Sequence, residues 1–131
     1  MSKINWKERI NWKEENSEEL RMAAYAYIRQ GKYDIAIDFF EALMVLEPDS
    51  AYDAQTLGAL WIQLGNPTKA IKCFDRALKL DADHTPTLLN LAKAFFMLGK
   101  KEEGIKLAKM LKKEPDPNIS NVAKALLLAY S

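Results

Sequence analysis

AYDAQTLGALWIQLGNPTKAIKCFDRALKLDADH, residues 51–84, decides the fold. It holds two stretches of helix length on either side of Gly65. In the first, Ala54, Leu57, Gly58 and Trp61 recur at i, i+3, i+4 and i+7, one face of an α-helix. Gly65 closes that helix, because glycine readily takes the left-handed conformation of a helix end. Asn66 and Pro67 then restart the chain as an N-cap and a first-turn residue. Ala70, Phe74 and Ala77 mark the inner face of the second helix.

The same plan returns at a step of 34 residues on both sides. SEELRMAAYAYIRQGKYDIAIDFFEALMVLEPDS, residues 17–50, carries Leu20, Ala23, Ala24 and Tyr27, then Gly31, then Ala36, Phe40 and Leu43. TPTLLNLAKAFFMLGKKEEGIKLAKMLKKEPDPN, residues 85–118, carries Leu88, Leu91, Ala92 and Phe95, then Gly99, then Gly104, Ala108 and Leu111. A small residue always sits third in the first helix, where two helices must approach closely. Thr85-Pro86 and Asp116-Pro117 read as helix openings, and Asn16 with Glu19 has capping-box spacing ahead of the first unit.

These residues resemble the tetratricopeptide repeat family: a small residue and an aromatic in the first helix, a turn glycine, then Ala, Phe and Ala in the second. Pro48, after a second helix, fits as well. The third unit departs from the pattern at Gly104 and Ala108, which predicts thinner packing there. The resemblance implies an all-α, right-handed α-solenoid. Its expected parts are an N-terminal leader (1–16), three repeats (17–50, 51–84 and 85–118) and a C-terminal capping helix (119–131). The cap, ISNVAKALLLAYS, is apolar at Val122, Ala123, Leu126 and Tyr130 and should cover the open face of the last repeat to the chain's end.

Bulk composition agrees. The chain has 131 residues, 49% hydrophobic and 28% charged, enough for one domain with a core. No apolar run approaches the roughly 20 residues of a membrane span, and the start MSKINWKERI lacks a signal peptide's apolar stretch. The single cysteine, Cys73, permits no internal disulfide, so a cytoplasmic, reducing setting is expected. The net charge of +1 hides an asymmetry: residues 1–50 carry 7 basic against 10 acidic residues, and residues 51–131 carry 12 against 8. Such ends suit head-to-tail pairing or steering, although scattered solvated faces give the same numbers.

In this family the first helices line the concave side, where ligands lie. The matching positions are Arg21, Tyr25, Ile28 and Arg29, then Tyr52, Gln55, Ile62 and Gln63, then Leu89, Lys93, Phe96 and Met97. Leu89, Phe96 and Met97 form a second apolar stripe beside the core face of their helix. Either the C-terminal helix covers that stripe, or a partner does. The groove is expected to take an apolar segment, extended or helical. The leader repeats itself as INWKE, placing Ile4, Trp6, Ile10 and Trp12 ahead of the repeats. As a helix these split between faces; as an extended strand they align. They cap the first repeat or contact another chain, and a homodimer is one expected outcome.

Chemistry-bearing constellations are sparse. His84 is the only histidine, and Asp81 and Asp83 beside it have only generic metal-ligand spacing. Cys73 lacks a basic cluster or a partner thiol. The isolated glycines make no phosphate loop. Lys106, Lys109 and Lys113 share a helix face, but a pI of about 7.8 argues for solvation rather than nucleic-acid binding. The expectation is therefore a protein-binding module with no catalytic, metal or cofactor site and no membrane insertion. In plan and size the chain also resembles the small repeat chaperones of bacterial type III secretion. That implies a client with an apolar segment, such as a translocator or needle subunit. The alternative is a scaffold joining folded partners.

Overall fold

A computed structural model describes residues 4–130. Among the described residues eight helices follow one another: α1 (Trp6–Arg9), α2 (Glu14–Arg29), α3 (Tyr33–Leu46), α4 (Ala51–Gln63), α5 (Pro67–Leu80), α6 (Thr85–Met97), α7 (Lys101–Leu111) and α8 (Pro117–Tyr130). No strand occurs among the described residues. From α2 to α8 each helix packs on its neighbour in sequence; α6 also lies on α4, and α8 on α6. The chain is an all-α solenoid.

The glycine turns form as the sequence implies. Gly31, Gly65 and Gly99 take φ of 74°, 74° and 76°. After each, a backbone N–H reaches back across the turn: Lys32 to Tyr27 O at 2.9 Å, Asn66 to Trp61 O and Lys100 to Phe95 O, both at 2.8 Å. Three identical closures produce three helical hairpins, α2–α3, α4–α5 and α6–α7. The Asn66 side chain accepts the Lys69 N–H at 3.1 Å, and Pro67 opens α5. Asp116 likewise accepts the Asn118 N–H at 2.9 Å ahead of Pro117.

Two helix starts differ from expectation. α2 begins at Glu14, and Asn16 lies inside it, its Oδ1 accepting the Lys13 N–H at 2.9 Å. Thr85 is the first residue of α6 rather than its cap; His84 holds the cap position, and its Nδ1 lies 2.7 Å from Thr87 Oγ1.

Phe40 and Phe74 are fully buried, at the centres of successive apolar clusters. Gly58 is the close approach anticipated between α4 and α5: a Cβ there would run into the Phe74 ring. The thinner packing expected at Gly104 does not occur. The Phe96 ring fills the space, and a Cβ at 104 would stand 2.7 Å from its Cε1. A larger residue on α6 is matched by a smaller one on α7. Gly104→Ala should therefore cost about 1–3 kcal/mol through overpacking, well beyond the helix-propensity gain. Phe96→Leu in the same chain should return much of that loss in a urea titration.

The leader is neither one helix nor one strand. α1 is a single turn, and Asn11 reverses the chain with φ 55°. Trp12 is then tied inward: its Nε1 donates to Ser17 Oγ at 2.6 Å, and Ser17 Oγ donates to Glu47 Oε1 at 2.8 Å. Lys7 Nζ pairs with the same carboxylate at 3.2 Å, so the leader is latched to the end of α3. Ile4, Trp6 and Ile10 stay exposed.

Candidate functional site

Two adjoining clefts run over α2 and α4, sharing Tyr25 and Tyr52. One, of about 410 Å³, is bounded by Glu18, Arg21, Met22, Ser50 and Asp53. The other, of about 280 Å³, is bounded by Ile28, Tyr33, Gln55, Thr56, Ala59, Leu60 and Gln63. Tyr52 stands 57% exposed between them. The structure thus brings together Arg21, Tyr25, Ile28, Tyr52, Gln55 and Gln63 of the expected groove.

Arg21 is not a free positive charge. Its Nε donates to Asp53 Oδ1 at 2.9 Å and its Nη2 to Asp53 Oδ2 at 2.7 Å, while Nη1 reaches Glu18 at 2.7 Å. The Asp53 hydrogen bonds push the guanidinium pKa further up, so it stays charged at every accessible pH. Asp53 is fully buried and was invisible as a site residue, although Ser50 three positions earlier offers the cue. The Ser50 side chain accepts the Asp53 N–H at 3.1 Å, the spacing of a capping box.

Tyr25 packs edge-on against Phe40, with ring centroids 5.7 Å apart. Its hydroxyl is buried and makes no hydrogen bond among the described residues, although the Tyr52 and Thr56 hydroxyls stand nearby. Burial, then the Tyr52 hydroxyl, raises its pKa, so it remains a protonated donor. An unsatisfied buried hydroxyl carries a desolvation cost. Tyr25→Phe should therefore raise stability by about 1 kcal/mol, read as a later urea midpoint.

The other expected residues lie elsewhere. Leu89 and Phe96 are buried, which corrects their assignment to an open groove wall. Leu89 joins Leu111, Ile119 and Ala123, and Phe96 stacks on Tyr130 with centroids 4.3 Å apart. The reason is positional. Asp53, Thr87 and Ile119 are each the third residue of their helix, and each is buried. Asp53 meets Arg21, and two repeats further along the chain Ile119 shares a cluster with Leu89. These positions form the seam between consecutive first helices, and α8 serves as the next first helix. Ile62 is half-buried against the cluster containing Leu91 and Ala94. Lys93 is half-buried, while Arg29 and Met97 are exposed; none of the three borders either cleft.

His84 is engaged with Thr87, as above. Burial pushes the Cys73 thiol up to about 11, leaving little thiolate at neutral pH. Among the described residues, no helix is long and apolar enough to cross a membrane.

Models of the tetratricopeptide repeat match residues 23–94 and residues 62–127. Over 75 residues, 57% of the chain, it is 32% identical to mouse (Mus musculus) Superkiller complex protein 3; the match spans only 5% of that protein's length. Its fold is similar to that of the type III secretion translocator chaperone SycD of Yersinia enterocolitica. The TM-score is 0.81 at 21% identity, over 98% of this chain and 99% of that one. PcrH, a Pseudomonas aeruginosa protein solved in complex with the chaperone binding region of PopD, gives a TM-score of 0.80 at 22% identity, over 90% and 92% of the two chains.

Proposed function

The chain belongs to the tetratricopeptide repeat family, and we propose that it is a cytoplasmic chaperone. On this reading it binds an apolar segment of a secretion substrate, a translocator or needle subunit, against α2 and α4. The observation that carries the reading is the uncovered double cleft around Tyr25 and Tyr52, with Ile28 and Ala59 as apolar floor and Gln55 and Gln63 at its edge. Aromatic rings over apolar floor suit a client's side chains, and the amides suit its main chain. Likeness to SycD and PcrH along nearly the whole chain supports the same reading.

The action is steric. A client segment laid in the cleft cannot self-associate. The chain is a binding module rather than an enzyme, and release falls to a competing machine. The proposed division is a leader to Asn16, repeats over 17–118 and a cap beyond. The exposed Ile4, Trp6 and Ile10 offer a separate apolar contact for a second copy or another protein. That patch also favours the second reading, a scaffold joining folded partners. The local similarity to Superkiller complex protein 3, a component of a complex by its name, points the same way.

The test is a pull-down from the native organism, using wild type beside Tyr52→Glu/Gln63→Glu. Both positions are exposed, so the variant should keep its helical circular dichroism. Under the chaperone reading, one small apolar secreted protein is captured by wild type and lost by the variant. Folded proteins held equally by both forms would replace it with the scaffold.

A further inference from the structure

Away from the paired clefts, α3 and α5 leave a separate cleft of about 360 Å³ over α4. Its walls are Met44, Val45, Ala54, Leu57 and Cys73. The space traces to one position. Cys73 stands in α5 where Leu107 stands in α7 and Phe39 in α3, at the same 34-residue step. Leu107 packs against the cluster of Ala70, Phe74, Leu91 and Ala94 at the seam between α5 and α7. Cys73 packs against the preceding cluster with a smaller side chain, and the seam between α3 and α5 stays open.

The rim is charged. Lys72 and Arg76 stand one turn apart on α5, against the single carboxylate of Glu41 on α3. Arg76 is held in place, its Nη2 donating to Met44 O at 3.2 Å and Pro48 O at 3.1 Å. Lys72 makes no ion pair among the described residues. An apolar trough with surplus positive charge at its mouth complements an apolar tail bearing an anionic head. We propose that this cleft binds a medium-chain carboxylate amphiphile, its tail over Cys73 and its carboxylate at Lys72. The site is independent of the client cleft.

The full chain with decanoate as probe tests this. Cys73 is the only thiol, so its rate of reaction with Ellman's reagent reports the cleft directly. Decanoate should slow that reaction saturably. Decanol, with the same tail and no charge, should need about tenfold more, the worth of one charge-assisted contact. Lys72→Gln should erase the difference. Cys73→Leu installs the side chain of Leu107 and should abolish decanoate binding in calorimetry. No saturable protection in wild type overturns the site, whether or not Cys73→Leu folds. Undiminished decanoate binding in a folded Cys73→Leu places the ligand elsewhere and also overturns it. Equal protection by decanol overturns the carboxylate assignment.

Discussion

Asp53→Ala should cost about 3–5 kcal/mol in a urea titration, among the largest single losses in this chain. The carboxylate is fully buried and accepts from both Nε and Nη2 of Arg21, whose own side chain is only 15% exposed. Removing it leaves a guanidinium in the seam between α2 and α4 with only the exposed Glu18 as partner. Such a charge cannot escape by deprotonating, because the guanidinium pKa lies far above any working pH. The loss should therefore persist unchanged from pH 6 to pH 9. Replacing both partners tests the cause. Arg21→Leu/Asp53→Leu copies the apolar seam that Leu89 and Ile119 form further on, and should recover most of the stability. A double variant as unstable as Asp53→Ala would show that the pair contributes more than the absence of an orphaned charge. Because Arg21 and Asp53 also border the cleft, the proposed chaperone role implies that the single variant captures less client.

That seam explains which part of the site was legible in the sequence. The 34-residue step and the glycine turns depend on local rules, and they placed every hairpin. Tyr25, Ile28, Tyr52, Gln55 and Gln63 followed because they project from first helices toward the clefts and keep part of their surface open there. Leu89 and Phe96 occupy equivalent positions, but α8 continues the stack and takes their face. Periodicity shows that a helix has a second apolar face; it does not say whether a later helix or a partner covers it. Asp53 was missed for a related reason. A buried acid looks like a surface acid until the cation opposite it, 32 residues away, is known. Gly104 misled in the opposite direction: a missing side chain implied a void, yet the unusually large Phe96 on α6 supplies the volume.

Phe74→Ala should cost about 3–5 kcal/mol, because the ring is fully buried and the surrounding helices can collapse only partly onto the space. The ring lies against Gly58, where a Cβ would collide with it. Gly58→Ala alone should also destabilise, by about 1–3 kcal/mol, despite alanine's better helix propensity. The two changes act on one volume with opposite sign, so they should not add. In Phe74→Ala the new methyl at 58 no longer meets a ring; it enters the cavity and brings alanine's helix propensity with it. Gly58→Ala in that background should thus stabilise, by about 1 kcal/mol. The sign reversal is the discriminating result. If Gly58→Ala destabilises equally in both backgrounds, the ring is not what forbids a side chain at position 58, and the α4–α5 approach is limited by backbone instead. If the sign reverses, one aromatic ring and one absent methyl set the spacing of the central hairpin, and through α4 the position of Tyr52 in the cleft.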